Sequence, residues 1–208
     1  MKERNEIRKK ESIEWLRIWC ADTGDELPRV ALIGDSITEH ENEVVKRELA
    51  GIAKVDYLVT SYAITSPAYL GMVEKFIEDT DYALICYNYG LHGRYITADA
   101  YEATYRKLLE LFSARSKVVI SLSTVVHDKN DLNVEDQLWT PLVLERNARA
   151  TALAKEFGFP IDDSYTISIR LGKDGKLEDG VHFNGQGKEA LGVNKAQVIK
   201  KALQEGKE

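Results

Sequence analysis

Residues 29–38 have the sequence Arg-Val-Ala-Leu-Ile-Gly-Asp-Ser-Ile-Thr. The apolar part is short and ends at Gly34, which is typical of a buried strand in a parallel sheet. Residues 39–50 have helical character, so the segment predicts a strand that passes through a tight turn into a helix. Asp35 and Ser36 would therefore stand in that turn, at the carboxyl end of the strand.

The same alternation of strand and helix continues along the chain. Further apolar runs predict strands at residues 55–60, 82–87, 117–122 and 159–162. Helical patterns follow at residues 67–78, 98–114, 140–157 and 186–204. Repeated units of this kind predict an α/β fold with a five-stranded, mostly parallel sheet and helices on both faces. Ligands of such sheets bind outside the carboxyl ends of the strands, so the turns after the strands are where a site is expected.

The first 22 residues have a helical pattern of apolar side chains. Trp15 and Trp19 are four residues apart, and Ile13, Leu16 and Cys20 widen the same stripe. This spacing predicts an N-terminal helix over residues 1–22 that packs on the domain. A helix that binds a membrane or a partner is the alternative. With no linker and no repeat, residues 1–208 are expected to form one domain.

Composition excludes several classes of protein. The 208 residues include 34 acidic and 28 basic ones, for a net charge of −6, which argues against a dedicated nucleic-acid surface. No apolar run is long enough for a membrane span or a signal peptide, so we expect a cytoplasmic protein without a membrane partner. Two cysteines, Cys20 and Cys86, cannot build a disulfide framework, and Cys86 is expected to be buried. The oligomeric state is left open.

Two short motifs carry chemistry. Ser36 follows a strand and precedes a helix, where unpaired backbone N–H groups favour negative charge, as a nucleophile that creates an oxyanion requires. The alternative is that Ser36 or Thr38 only caps the helix. Near the C-terminus, Asp179 stands three residues before His182, so its carboxylate can hydrogen-bond the imidazole and fix its tautomer. The alternative there is a turn before a helix that Asn184 caps.

Together, these two motifs and the order of strands and helices over residues 29–191 resemble the SGNH/GDSL hydrolase family. The resemblance implies a three-layer α/β/α flavodoxin-like sandwich and the activity of a serine esterase or related acyl hydrolase. It implies that Ser36 is the nucleophile, His182 the general base and Asp179 the orienting acid. Asp35 would be a supporting residue of the motif. The resemblance implies no metal and no organic cofactor.

The residues expected at the oxyanion hole depart from the family pattern. Where the family often has a glycine after the second strand, this chain has Ala63, whose backbone N–H can still donate. After the third strand the family commonly has Gly-x-Asn-Asp. Gly90 matches that glycine, but His92 replaces the asparagine, as in a subgroup with a Gly-Leu-His segment. Asn88 is the rival side-chain donor.

One group of residues could suggest a metal cluster. His40 lies among Glu39, Glu41 and Glu43. We interpret the group as the exposed, charged start of a helix, and no metal site is predicted.

A polar loop is expected at residues 128–136. Leu132 occupies a ligand position of a calcium loop, so we interpret the segment as a solvated loop that lines a substrate cleft. His127, just before it, is expected on the surface.

The sequence therefore favours a serine esterase that forms an acyl-enzyme on Ser36 and hydrolyses a small-molecule or carbohydrate ester. A carbohydrate acetyl-esterase is one candidate within that class. The alternative is a non-catalytic protein of the same fold that binds a small molecule or carbohydrate. The trio of Ser36, Asp179 and His182 favours the enzyme, because a binding protein does not need it. His92, which replaces the asparagine of the family pattern, keeps the binding protein open as an alternative.

Overall fold

The computed structural model describes residues 10–24 and 26–205, which fold around a central sheet. The strands are β1 (Leu16–Trp19), β2 (Arg29–Gly34), β3 (Lys54–Thr60), β4 (Tyr82–Tyr87), β5 (Lys117–Ser121), β6 (His127–Asp128), β7 (Asp131–Glu135) and β8 (Ile161–Asp162). The helices are α1 (Ser36–Glu48), α2 (Pro67–Glu78), α3 (Ala98–Ser113), α4 (Trp139–Phe157), α5 (Ser164–Leu171) and α6 (Gly185–Gln204), with a 3-10 turn at Gly172–Gly175. None of the helices in these two ranges is both long enough and apolar enough to cross a membrane.

The main sheet confirms the predicted α/β class. Its strand order is β1-β3-β2-β4-β5-β8. The five strands that the sequence predicted, β2, β3, β4, β5 and β8, are parallel to one another. Side chains of β2 alternate between two cores: Ala31 and Ile33 pack with α2, α3 and α4, whereas Val30 and Leu32 pack with α1 and α6. This alternation places helices on both faces and makes three layers.

The predicted N-terminal helix is wrong for the residues that the structure describes, and residues 1–9 of that prediction lie outside them. Residues 16–19 form β1, a sixth strand that pairs antiparallel with β3 through Leu16 opposite Thr60 and Trp19 opposite Tyr57. The open edge of β3 offers backbone groups that a strand satisfies and a helix does not. Because β1 leaves its apolar side chains half-exposed, with Ile18 50% exposed, the helical spacing did not mark a buried face.

Two other segments differ from expectation. The polar loop over residues 128–136 is a hairpin of β6 and β7, and α5 is an additional helix. His127, expected on the surface, is only 7% exposed and donates from Nδ1 to the carbonyl of Leu132, 2.6 Å away. Cys86 is buried in β4, as predicted, and both cysteines are free.

A buried group of charges ties three elements together. Lys195 on α6 donates to Glu41 on α1 and lies 4.0 Å from Asp162 at the end of β8. Asp162 also accepts hydrogen bonds from Ser121 and Ser164, at 2.6 and 2.8 Å. Glu41 was expected at an exposed helix start, but it is 1% exposed, because Lys195 supplies the cation that makes its burial tolerable.

Replacement of Lys195 tests this group. Lys195→Met is expected to lower the free energy of unfolding by about 3–5 kcal/mol, because it leaves Glu41 and Asp162 buried without a cation. Urea denaturation followed by circular dichroism measures the change. Adding Glu41→Gln to Lys195→Met should recover part of the loss. A single variant as stable as the wild type would contradict the interpretation.

Candidate active site

Ser36 is the first residue of α1. Asp35 is the N-cap, and its carboxylate accepts a hydrogen bond from the backbone N–H of Ile37, at 2.9 Å. The helix is therefore capped by Asp35 and not by Ser36 or Thr38, which contradicts the capping alternative. Asp35 is buried, so it caps the helix from the interior of the protein. The Ser36 hydroxyl remains available for other partners.

A chain of hydrogen bonds joins the three residues that the resemblance singled out. The Ser36 Oγ lies 2.8 Å from Nε2 of His182, and Nδ1 of His182 lies 2.7 Å from Oδ2 of Asp179. The other carboxylate oxygen of Asp179 accepts the backbone N–H groups of Val181 and His182, each at 2.9 Å. Four contacts thus hold the imidazole with Nδ1 on the carboxylate and Nε2 on the hydroxyl.

The turn that carries Asp179 and His182 requires a glycine. Gly180 has a φ of +72°, which disfavours other residues, and a Cβ there would lie 2.2 Å from the carbonyl oxygen of His127. The N–H of His127 donates to the Gly180 carbonyl at 2.9 Å. Asn184, as the alternative interpretation expected, also caps α6 by accepting from Gly187. The capping and the Asp–His pair therefore coexist.

A buried lysine supports the same turn. The Lys176 ammonium donates to the carbonyls of Val125 and Val181, at 2.6 and 2.9 Å, and lies over the Phe183 ring. Burial lowers the pKa of Lys176 to about 7. Sequence motifs gave no sign of this residue, because its acceptors are backbone carbonyls.

Asp179 is held in its charged form. Burial on its own would raise the pKa of its carboxyl, but the hydrogen bonds from the His182 ring and from two backbone N–H groups outweigh burial and lower it. A charged Asp179 can stabilise an imidazolium on His182.

His40 is part of the site, contrary to the expectation of an exposed helix start. It lies four residues after Ser36 and so on the same face of α1. Its ring contacts that of His182, with centroids 4.8 Å apart and planes at 44°. Burial lowers the pKa of His40, and the nearby His182 and Lys188 lower it further, which favours a neutral ring. The spacing of four from Ser36 was the signal that could have identified it.

Two backbone N–H groups, those of Ser36 and Ala63, follow the carboxyl ends of the neighbouring strands β2 and β3. Ala63 is buried just after β3, and the position of a Cβ on Gly93 would be 3.0 Å from the Ala63 Cβ, so the loops after β3 and β4 meet. In the part of the chain that the structure describes, the N–H groups of Ser36 and Ala63 have no hydrogen-bond acceptor. Both are therefore available to a ligand.

The predicted donors after β4 differ in their environment. The amide nitrogen of Asn88 donates to the Ser121 carbonyl at 2.8 Å and to the Ser123 hydroxyl at 3.3 Å. Gly90 packs against the same serine, because a Cβ there would lie 1.8 Å from the Ser123 Oγ. Asn88 and Gly90 thus fix the loop to β5. Nδ1 of His92 pairs with Glu11, 2.8 Å away.

Arg146 on α4 fixes this loop from below. Its guanidinium donates to the carbonyls of Gly90, His92 and Gly93, at 3.0, 2.7 and 2.7 Å, and lies over the Tyr101 ring. Sequence reasoning missed Arg146 because a lone arginine on a helix has no motif. Its three acceptors come together only in the folded chain.

A cavity of 420 Å³ opens beside Asp179. Side chains of the β6–β7 hairpin and of the start of α4 line it, including Asp128, Asn130, Gln137 and Trp139. The expectation that the 128–136 segment lines a cleft is thus consistent with the fold, although the segment is a hairpin. The walls combine these polar groups with apolar side chains, among them Leu138 and the Trp139 ring.

The comparisons with known proteins agree with this architecture. No family model and no curated protein sequence matches the chain. Among solved structures, a member of the lipolytic G-D-S-L family from Veillonella parvula is 22% identical with a TM-score of 0.66, covering 82% of this chain and 97% of that one. A GDSL-like lipase from Bacteroides thetaiotaomicron is 20% identical with a TM-score of 0.63, covering 84% and 88%. An acetylxylan esterase from Geobacillus stearothermophilus is 13% identical with a TM-score of 0.67, covering 85% and 94%.

These likenesses extend over most of both chains. At such low identities they concern the fold, and the chemistry has to be argued from the residues of this chain. The resemblance that the two sequence motifs indicated is confirmed at that level: the chain has the fold of the SGNH/GDSL hydrolases.

Proposed function

We propose that this protein is a serine ester hydrolase. One observation carries the proposal, the continuous hydrogen-bonded chain from Asp179 through His182 to Ser36. A nucleophile, a base and a group that orients the base are the parts that covalent acyl transfer requires. The Ser36 hydroxyl stands at a helix N-terminus, where backbone N–H groups favour a developing oxyanion.

In the proposed mechanism, Nε2 of His182 takes the proton of Ser36 Oγ as the oxygen attacks the ester carbonyl. The backbone N–H groups of Ser36 and Ala63 hold the tetrahedral oxyanion, and Asp179 stabilises the imidazolium. The intermediate collapses, His182 passes its proton to the leaving alcohol, and an acyl-enzyme remains on Ser36. Water, deprotonated by His182, then hydrolyses the acyl-enzyme and restores the free hydroxyl.

We assign the third oxyanion donor to His92. The amide hydrogens of Asn88 are engaged by Ser121 and Ser123, so Asn88 would have to break two hydrogen bonds to donate. His92 stands where the family pattern has its donor asparagine, on a loop that packs against Ala63.

His92→Ala is expected to lower kcat about 10²–10³-fold, the loss typical of one such donor. A change in KM alone would contradict this role.

The cavity beside Asp179 favours a polar leaving group. Carboxylate and amide side chains can hydrogen-bond hydroxyl groups, and the Trp139 ring offers an apolar face of the size of a sugar ring. We therefore propose a carbohydrate ester, with an acetyl group as the acyl part, as the substrate. A solved structure of the same fold is an acetylxylan esterase. The rates of hydrolysis of acetylated sugars and of long-chain acyl esters test this choice. The acetylated sugars should be hydrolysed faster, and faster hydrolysis of the long-chain esters would contradict the proposal.

The nucleophile is tested with a fluorophosphonate probe. The wild type should be labelled at Ser36, and Ser36→Ala should lose the label and about 10⁴-fold or more in kcat. Ser113→Ala, at an exposed position near the end of α3, is the matched control and should keep both. An unlabelled, folded wild type would favour the binding protein, and a Ser36→Ala variant with normal turnover would overturn the assignment.

The orienting acid is tested by Asp179→Asn. An amide cannot stabilise the imidazolium and can hold the wrong tautomer, so kcat should fall by up to about 10⁴-fold. Steady-state kinetics measures the loss. A loss of only a few-fold would show that the serine–histidine pair suffices.

His40 is tested as a positioning residue. His40→Ala leaves space beside the His182 ring and is expected to lower kcat by roughly 10–100-fold, because a small displacement of a catalytic group is costly. His40→Phe restores the packing surface and should recover most of the loss. KM should change little in either variant. Equal losses in the two variants would show that packing is not the role of His40.

A further inference from the structure

A second carboxylate–imidazole pair lies in the candidate site, and its carboxylate comes from the N-terminal segment. Oε2 of Glu11 lies 2.8 Å from Nδ1 of His92, and Oε1 accepts the backbone N–H of Gly93 at 2.7 Å. One carboxylate thus binds both the side chain of His92 and the backbone of the next residue. Glu11 lies five residues before β1 and belongs to neither motif of the resemblance.

The loop after β4 is therefore held from two sides. Glu11 binds an N–H group of the loop, and Arg146 binds three of its carbonyl groups. The negative carboxylate of Glu11 accepts from an N–H group and the positive guanidinium of Arg146 donates to carbonyl oxygens, so each contact is a charge-assisted hydrogen bond. The backbone around His92 has little freedom to rotate, which sets the direction of the ring.

The contact with Glu11 also decides what the free ring nitrogen can do. A carboxylate only accepts, so Nδ1 of His92 must carry the proton in this pair. In a neutral ring Nε2 would then be an acceptor, which repels an oxyanion. Only the doubly protonated ring offers an Nε2–H to substrate. The donor role proposed for His92 consequently requires its charged form.

The charges around His92 favour that form. Burial on its own would lower its pKa, but the hydrogen bond to Glu11 and the negative charge of Asp35 outweigh burial and the repulsion from Arg146, so the pKa is raised. Burial likewise opposes the charge of Glu11, yet the hydrogen bonds from His92 and Gly93, together with the charge of Arg94, hold the pKa of its carboxyl below the usual value. Both shifts favour the charged forms of the two side chains.

We infer that Glu11 is a positioning residue that holds His92 as an imidazolium, so that the Nε2–H of His92 is a positively charged third donor to the oxyanion. The inference rests on the proposed ester hydrolysis and on the donor role of His92. It explains how a histidine can replace the amide that the family pattern has there. The alternative is that Glu11 only anchors the N-terminal segment to the loop.

The pH dependence of kcat distinguishes the two. In the wild type, kcat should fall at alkaline pH as His92 loses its proton. Glu11→Gln removes the negative charge, so the pKa of His92 falls and the alkaline limb should move about 1–3 units to lower pH. At pH values below the limb of the variant, its kcat should differ least from that of the wild type. Between the two limbs, where only the wild-type ring is charged, the loss relative to the wild type should reach about 10²-fold. A uniform loss at every pH would support the anchor and overturn the inference.

The dependence on His92 is tested by a double variant. An asparagine donates at every pH, so His92→Asn should abolish the alkaline limb, and adding Glu11→Gln should then change kcat little. Independent, additive losses would contradict the inference. Glu74 is an exposed carboxylate on α2. Its replacement, Glu74→Gln, is the matched control and should leave the pH dependence of kcat unchanged.

An NMR titration of the His92 ring separates this inference from the proposed function. In Ser36→Ala, which needs no activity, the His92 ring should titrate above the ordinary value of about 6.5, and Glu11→Gln should lower it. A His92 ring that titrates below about 6.5 in Ser36→Ala, with Glu11 intact, overturns the inference. This test does not depend on whether Glu11→Gln folds. If the wild type is labelled by the fluorophosphonate but the His92 titration is not shifted, the inference about Glu11 is refuted and the ester hydrolase stands. No labelling of the wild type with a shifted titration would refute the ester hydrolase and keep the ion pair.

Discussion

The ion pair of Lys195 with Glu41, extended to Asp162, is the interaction on which the site geometry depends. Helix α1 begins at Ser36, and α6 follows the turn of His182, so a bond between these helices helps to set the distance between Ser36 and His182. Those two residues are 146 positions apart in the chain. Breaking a buried pair leaves uncompensated charges, so the relative position of the helices is costly to change. A packing contact alone would resist sliding less.

The two carboxylate–imidazole pairs of the site differ in how the chain builds them. Asp179 and His182 lie three residues apart in a turn that Gly180 makes possible, so local geometry is enough to form the pair. Glu11 and His92 are 81 positions apart and meet only because β1 pairs with β3 and brings the N-terminal segment to the end of the sheet. The first pair is a property of a motif, and the second is a property of the fold.

Apart from the β6–β7 hairpin and α5, the positions of the strands and helices from residue 29 onward followed from periodicity, since burial on both faces of a parallel sheet leaves continuous apolar runs. The contacts of His182 with Ser36 and Asp179 were also expected, because these residues stand in two recognisable motifs. The N-terminal segment was misassigned: its apolar residues have helical spacing, but β1 leaves them half-exposed at the sheet edge. His40 and Glu41 were expected to be exposed because a charged helix start usually is. Their burial depends on His182 and Lys195, which α6 and the turn before it bring from the other end of the chain.

Local sequence was enough to predict the five parallel strands with their five main helices, the turn at Ser36 and the pairing of Asp179 with His182, because each depends on neighbours within a few residues. The tertiary structure alone decided which side chains surround them. Glu11, Arg146 and Lys176 act on backbone groups or on residues far along the chain, and the sequence carries no motif for such contacts. Hydrogen bonds of this kind depend on the position of a partner in space and not on its spacing in sequence. The loop of His92 could therefore be located from the sequence, but its contacts with Glu11 and Arg146 arise only in the folded chain.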